Sequence, residues 1–334
     1  MAETAIAVIG AGAWGTALAA MLARNGHRTT LCVRRAAQLA AMTDTRENAA
    51  YLPGVKLPGS LQLTDRWEPA VAAAEYVFMV TPSRFARQAT NRIAPALKPD
   101  VTIVSATKGI EEDSLKTMTE MLREHAPASA GIGALSGPGF AAEIVTGKPA
   151  ALVVASPDEP VTRRVQYLLS GPSLRLYRSS DVVGVELGGT VKNVIGIAAG
   201  VGDGLGLGLS ARAALITRGI AEITRLAIAL GAQRETIAGL AGLGDLVLTC
   251  TGEISRNHRL GLRLAAGKFD MIAETGEGRP VAEGIANARS VKRLAERERV
   301  EMPIVSAVHR CLYEAGSPRA MVEELLSREL KAEF

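Results

Sequence analysis

Aromatic residues are scarce: the 334-residue chain holds five phenylalanines, five tyrosines and two tryptophans. Single-stranded nucleic acid is held largely by stacking on aromatic side chains, and duplexes by dense basic patches. No run of five basic residues occurs either, so nucleic-acid binding is not expected. Cysteine is rarer still. Cys32, Cys250 and Cys311 are far apart, odd in number and without metal-ligand spacing. That excludes a disulfide framework, gives no reason to expect a metal, and points to a reducing, cytoplasmic compartment. Neither sign of charge dominates: 38 Lys and Arg stand against 34 Asp and Glu, and the net +4 suits small anionic ligands. Residues 4–23 carry no charge and resemble a membrane span in composition. No basic residue precedes them and three glycines interrupt them, so a strand running into a buried helix is the better reading, without membrane insertion.

What is present is glycine, 34 residues of it, in an ordered pattern. The length suits two domains, each with its own core. Residues 4–9 form a short apolar run that predicts a strand. It leads into Gly10-Ala11-Gly12-Ala13-Trp14-Gly15, a helical pattern to about Asn25, a stopping Gly26, and a second strand over 28–33. Strand, G-x-G-x-x-G, helix, strand is the dinucleotide-binding arrangement. Its first glycine makes the turn, the second lets backbone approach a pyrophosphate, and the third lets helix pack on sheet. The helix N-terminus then turns its partial positive charge toward the phosphates. Where NAD-binding units carry an acidic residue for the ribose hydroxyls, this chain has Arg34-Arg35. Two guanidiniums suit a 2′-phosphate, so NADPH is favoured over NADH; a solvated basic doublet is the plainer alternative.

Further strands are predicted over 76–80, 101–105, 132–135, 150–155 and 174–177, with a helix over 160–169. Three of their ends are polar: Thr81-Pro82-Ser83, Ala106-Thr107-Lys108-Gly109 and Ser136-Gly137-Pro138-Gly139. Ligands sit at such strand ends in open α/β sheets. From about residue 187 only helical patterns and glycine-rich turns remain. The expected fold is therefore an α/β Rossmann-type N-terminal domain (1–186) with an all-α C-terminal domain (187–334). At the junction, in Gly188-Gly189-Thr190-Val191-Lys192-Asn193, a lysine stands among Val191, Val194, Ile195 and Ile197. Clefts between domains are preferred ligand sites, and apolar surroundings bring an ammonium pKa toward the range of proton transfer. A surface lysine at a helix start fits the same residues taken alone. Residues 200–208 read as either a simple connector or a loop that closes on ligand, the second favoured because Asp203 lies in the glycine-rich run. Asp245, in apolar surroundings, needs a cationic partner, and lysines are the natural candidates. Ser255-Arg256-Asn257 gathers a hydroxyl, a fork of N–H donors and an amide, which suits phosphate or, equally, a helix cap.

Together these segments resemble the NAD(P)-dependent glycerol-3-phosphate dehydrogenases of the bacterial type, over nearly the whole chain. The likeness rests on Gly-Ala-Gly-Ala-Trp-Gly-Thr-Ala-Leu-Ala (10–19), Ala-Thr-Lys-Gly (106–109) and Ser-Gly-Pro (136–138). It continues through Gly-Gly-Thr-Val-Lys-Asn-Val (188–194), Ala-Leu-Ile-Thr-Arg-Gly (214–219), Gly-Leu-Gly-Asp-Leu-Val-Leu-Thr-Cys-Thr (242–251) and Ser-Arg-Asn (255–257). The resemblance implies reversible reduction of dihydroxyacetone phosphate to sn-glycerol 3-phosphate, feeding phospholipid synthesis, in a cytoplasmic homodimer. It implies that Lys192 gives and takes the proton, with Lys108 and Asp245 beside it. It puts Lys108, Gly137, Asp245, Ser255, Arg256 and Asn257 at the substrate, with Ser136, Gly139, Lys192, Asn193 and Thr249 from the same segments. It puts Trp14, Arg34, Lys108, Ala141, Arg256, Val281 and Glu283 at the cofactor, with Gly10, Gly12, Ala13, Gly15 and Arg35 from the nucleotide motif. Two positions depart from the family: Gly139 stands where Thr or Ser is usual, and Ser210 where Asn is common. A backbone N–H at residue 139 would replace the missing hydroxyl.

Ketone reduction asks for three things: a hydride donor, a proton source for the forming alkoxide, and a clamp for the substrate's anion. The nucleotide motif, the Lys192/Lys108/Asp245 group and Ser-Arg-Asn correspond to one each. The nearest rival is a different two-domain dehydrogenase, of the 3-hydroxyacid or phosphogluconate type, which would act on a carboxylate. A noncatalytic NADPH-responsive binder would need only the glycine motif. A thiol-dependent aldehyde dehydrogenase using Cys250 has little support, since no histidine is near it in sequence.

Overall fold

The structure, a computed structural model, describes residues 3–276, 282–330 and 332–333. Eight strands form one sheet: β1 (Ala5–Ile9), β2 (Arg28–Cys32), β3 (Gln62–Thr64), β4 (Tyr76–Met79), β5 (Thr102–Ser105), β6 (Gly131–Ser136), β7 (Ala150–Ala155) and β8 (Leu174–Ser179). Their spatial order is β3-β2-β1-β4-β5-β6-β7-β8. β1 is central and wholly buried, as its uninterrupted Ala-Ile-Ala-Val-Ile requires. Alternate residues feed two separate cores: Ile6 and Val8 pack on one face, Ala7 and Ile9 on the other. β4 divides in the same way, with Phe78 on the first face and Val77 and Met79 on the second. Helices cover both faces, so the Rossmann-type expectation holds.

Two details differ from it. The three-residue β3 lies at the sheet edge in a turn-rich segment too short to show a period. Secondly, β7 runs antiparallel to β6, with Ala134 opposite Ala155. The connection between them holds only the short helix Ala141–Val145. That segment stays at the end of β6 from which it emerged, whereas a parallel return needs a longer crossover.

The helical part is built around one helix, Val182–Gly204, in which every residue from Gly184 to Val201 is buried. Asp181 caps its start: one carboxylate oxygen accepts from Gly184 N–H at 2.8 Å and the other from Gln233 N–H at 2.8 Å. Such a cap contributes about 1 kcal/mol. Leu187, Val191, Val194, Ile195, Ile197 and Val201 fill a core shared with the surrounding helices. By length and composition this helix could cross a membrane, but 89% of its apolar window is buried inside the fold, where it is the core helix.

The loop expected over residues 200–208 is not there. Residues 200–204 continue the helix, and the following helix starts at Gly208. Gly200 and Gly204 are packing glycines: a Cβ at Gly200 would run into His258 O, and one at Gly204 would stand 2.5 Å from Ala265 Cβ. They let the helix Arg256–Ala265 lie against the central helix, which matters because that second helix begins in the cleft. Asp203 is no ligand-closing residue; its carboxylate pairs with Arg212 at 2.7 Å and His258 Nε2 at 2.6 Å.

Candidate active site

A cleft of about 450 Å³ opens at the C-terminal ends of β1, β4, β5 and β6, and the central helix closes its floor. At its nucleotide end, Gly10 has φ +115°, and a Cβ there would lie 2.6 Å from Val80 O. A Cβ at Gly15 would collide with the Gly10 carbonyl. At Gly12 a Cβ would meet nothing within 4 Å, so its backbone faces open cleft. The helix Ala13–Arg24 starts there with no side-chain cap, leaving its first N–H groups directed at that space. Glycines where strand, helix and ligand must come close, and free N–H groups facing the opening, fit the pyrophosphate of a dinucleotide. Ala13 and Trp14 line the same wall, with Ala141 opposite.

Both arginines after β2 face this cleft. The Arg34 guanidinium lies 5.0 Å from the centre of the Phe85 ring, and Arg84 lies 4.6 Å from the same ring. Arg35 lies over Tyr51 and donates to its hydroxyl at 3.2 Å. Phe85, Arg84, Tyr51 and Gln38 line the cleft but belong to no motif read above. An aromatic three residues after a strand-ending Thr81-Pro82, in a chain so poor in aromatics, was the available signal for Phe85.

At the other end Lys192, Lys108 and Asp245 meet. Asp245 is 1% exposed. Its Oδ1 accepts from Lys192 Nζ at 2.5 Å, and its Oδ2 from Lys108 Nζ at 2.6 Å. Lys192 also donates to Thr249 Oγ1 at 2.7 Å, and Lys108 to Gly137 O at 3.3 Å. Burial depresses the Lys192 pKa from 10.5 to about 8; Asp245 opposes the shift and Lys108 adds to it. The surface-lysine alternative is therefore excluded. Asp245 lies behind the two lysines, so both ammonium groups, not the carboxylate, line the opening.

Ser255 caps the helix Arg256–Ala265, accepting from His258 N–H at 3.3 Å, so it is both cap and cleft residue. Arg256 is exposed to the cleft. Asn257 donates to Asn193 Oδ1 at 2.8 Å, which ties the Ser-Arg-Asn turn to the lysine helix. The Ser136 hydroxyl lines the cleft, buried, with no hydrogen-bond partner among the described residues. Gly137 has φ +130°, whereas Gly139 does not occupy the left-handed region. Glu283 also faces the cleft; burial raises its carboxyl pKa, and Arg256, Lys108 and Lys192 oppose that rise. Val281 lies outside the described residues. Cys250 is buried and its thiol is pushed up to about 12, which removes the thiol-dependent alternative.

Comparison with known proteins agrees with this geometry. The family model described as NAD-dependent glycerol-3-phosphate dehydrogenase N-terminus matches residues 5–162, and its C-terminus counterpart matches residues 181–323. The chain is 48% identical over 330 residues to a glycerol-3-phosphate dehydrogenase (NAD(P)+) of Geobacter sulfurreducens, covering 98% of each chain. It is 49% identical over 331 residues to the corresponding protein of Aromatoleum aromaticum, covering 98% of this chain and 99% of that one. The crystal structure of a glycerol-3-phosphate dehydrogenase from Coxiella burnetii superposes with a TM-score of 0.93 at 37% identity, covering 98% of this chain and 99% of the other. The chain belongs to the NAD-dependent glycerol-3-phosphate dehydrogenase family.

Proposed function

We propose that this chain reversibly reduces dihydroxyacetone phosphate to sn-glycerol 3-phosphate, with Lys192 as the group that gives and takes the proton. The nicotinamide of the bound cofactor supplies the hydride. Arg256, with Ser255 and Asn257, holds the phosphate through charge-assisted hydrogen bonds, and this fixes the carbonyl end toward the lysines. Lys192, protonated, donates to the C2 oxygen as negative charge develops there; in the oxidation its neutral form removes the hydroxyl proton. Lys108 adds a second positive charge beside that oxygen. Asp245 orients both ammonium groups and keeps Lys192 protonated at neutral pH.

The observation that carries this reading is the single buried carboxylate bridging two cleft lysines at 2.5 and 2.6 Å. Arg34 and Arg35 favour NADPH over NADH, since they offer a 2′-phosphate two cations and a bare ribose no acceptor. Residues 1–186 act as the dinucleotide-binding part and residues 187–334 as the substrate-binding and dimer-forming part. The product supplies glycerophospholipid synthesis in the cytoplasm. Following NADPH absorbance with dihydroxyacetone phosphate, and separately with a keto acid, tests the reading. Turnover of the phosphate ester and none of the acid is expected; the reverse preference contradicts it.

A further inference from the structure

Asn287 lies on the helix Gly284–Arg297, outside every motif read from the sequence, and is 0% exposed. Its amide nitrogen donates to the backbone carbonyl of Lys108 at 3.2 Å and to that of Thr190 at 3.1 Å. The first carbonyl follows the end of β5. The second is on the central helix, two residues before Lys192. One side chain thus joins the two segments whose lysines meet at Asp245. The helix that carries it is anchored one turn earlier. Gly284 N–H donates to Asn257 Oδ1 at 3.0 Å, and a Cβ at Gly284 would stand 2.7 Å from Asn193 O. The other amide atom, Asn287 Oδ1, is buried with no partner among the described residues. A buried orphan acceptor is destabilising, and the two donated bonds must offset it. Packing alone therefore gives no reason for an amide here, where a leucine would fill similar space.

We propose that Asn287 is a positioning residue: by holding the Lys108 and Thr190 carbonyls together it fixes the separation of the two ammonium groups across Asp245. The inference rests on the proton role given to Lys192. Three charged groups act on Lys192: Asp245 from the helix Asp245–Thr251, Lys108 from the end of β5, and Glu283 from the start of the Asn287 helix. Without Asn287 the Lys108 backbone loses its tie to the central helix, and among the described residues only the ammonium's bonds to Asp245 and Gly137 O resist its drawing back. Its repulsion of Lys192 weakens and Asp245 is left more fully to Lys192. Both changes move the Lys192 pKa upward.

The test compares Asn287→Leu, Asn287→Thr and Lys192→Met with the unaltered enzyme. Steady-state rates of dihydroxyacetone phosphate reduction are taken across pH 6–10, roughly two units either side of the Lys192 pKa, together with NADPH binding and thermal melting. Asn287→Leu should lower kcat about 10- to 100-fold, the range for a misplacement of about 1 Å. The basic limb of its profile should move upward, and NADPH affinity should stay within about threefold. Asn287→Thr keeps one donor and should lose less; it carries the same reading should the leucine variant not fold. A kcat within about threefold of the unaltered enzyme with an unmoved limb overturns the inference. So does a loss of rate that tracks loss of melting temperature while the limb stays in place. If Lys192→Met remains active, the proton role itself fails. If only Lys192→Met is impaired, Asn287 alone is wrongly assigned.

Discussion

Replacing Asp245 with asparagine separates the electrostatic role of the carboxylate from the shape of the site. The substitution keeps the side-chain volume but removes the charge that faces Lys192 at 2.5 Å and Lys108 at 2.6 Å. An opposite charge at such range favours the ionised form by about 1–3 pKa units. Taking ~2 units, Lys192 would titrate near ~6 in the variant rather than at about 8. At pH 7 the protonated share of Lys192 then falls from about nine-tenths to about one-tenth, a roughly tenfold loss of proton donor. Lys108 also loses its tether, and misorientation adds about another tenfold, so reduction at pH 7 should fall ~10²-fold. The sign is specific. The basic limb of the reduction profile should move down in pH, part of the rate should return on acidification, and oxidation, which uses neutral Lys192, should suffer less. The assay is NADPH-linked reduction and NADP-linked oxidation as a function of pH, with circular dichroism to show that the variant is folded. A limb that stays near pH 8 or moves upward refutes the assigned electrostatics.

Replacing both Arg34 and Arg35 with glutamine should weaken NADPH binding far more than NADH binding, each lost charge-assisted bond being worth about 1.5–3 kcal/mol; equal losses in titrations of the two cofactors would contradict a 2′-phosphate site. Gly137→Ala and Gly139→Thr should behave oppositely in steady-state assays. Alanine at residue 137 must adopt φ +130° and would crowd Leu152 Cα at 3.0 Å, so activity should drop sharply. Threonine at residue 139 meets two side-chain ends, the tip of Ile144 and Leu152 Cδ2 at 3.4 Å, rather than backbone, and should leave KM for dihydroxyacetone phosphate similar or lower.

Much of the nucleotide end was legible because its constraints are local: Gly10, Gly12 and Gly15 are spaced by the geometry of one turn, and Arg34-Arg35 follows one strand. Lys192 and Asp245 were legible as misfits, charged residues in apolar runs, and each proved to be the other's partner. Their distance apart could not be read, because it depends on how the helix Asp245–Thr251 packs on the central helix. Residues 200–204 misled in an instructive way. A glycine-rich run reads locally as a loop, yet Gly200 and Gly204 serve close helix packing, which outweighs their backbone entropy. Asn287 gave no signal at all: it sits in an amphipathic helix, and only the tertiary fold brings it to Lys108.

The most direct test of the proton role is Lys192→Met, which keeps most of the side-chain length and removes the titrating group. Turnover of dihydroxyacetone phosphate should fall by about 10²- to 10⁴-fold, or roughly 3–5 kcal/mol of barrier, while NADPH still binds. Lys192→Arg should fail as well, because a guanidinium does not deprotonate at working pH. Turnover above about a tenth of the unaltered enzyme in Lys192→Met, with NADPH bound, would mean that the proton comes from another group.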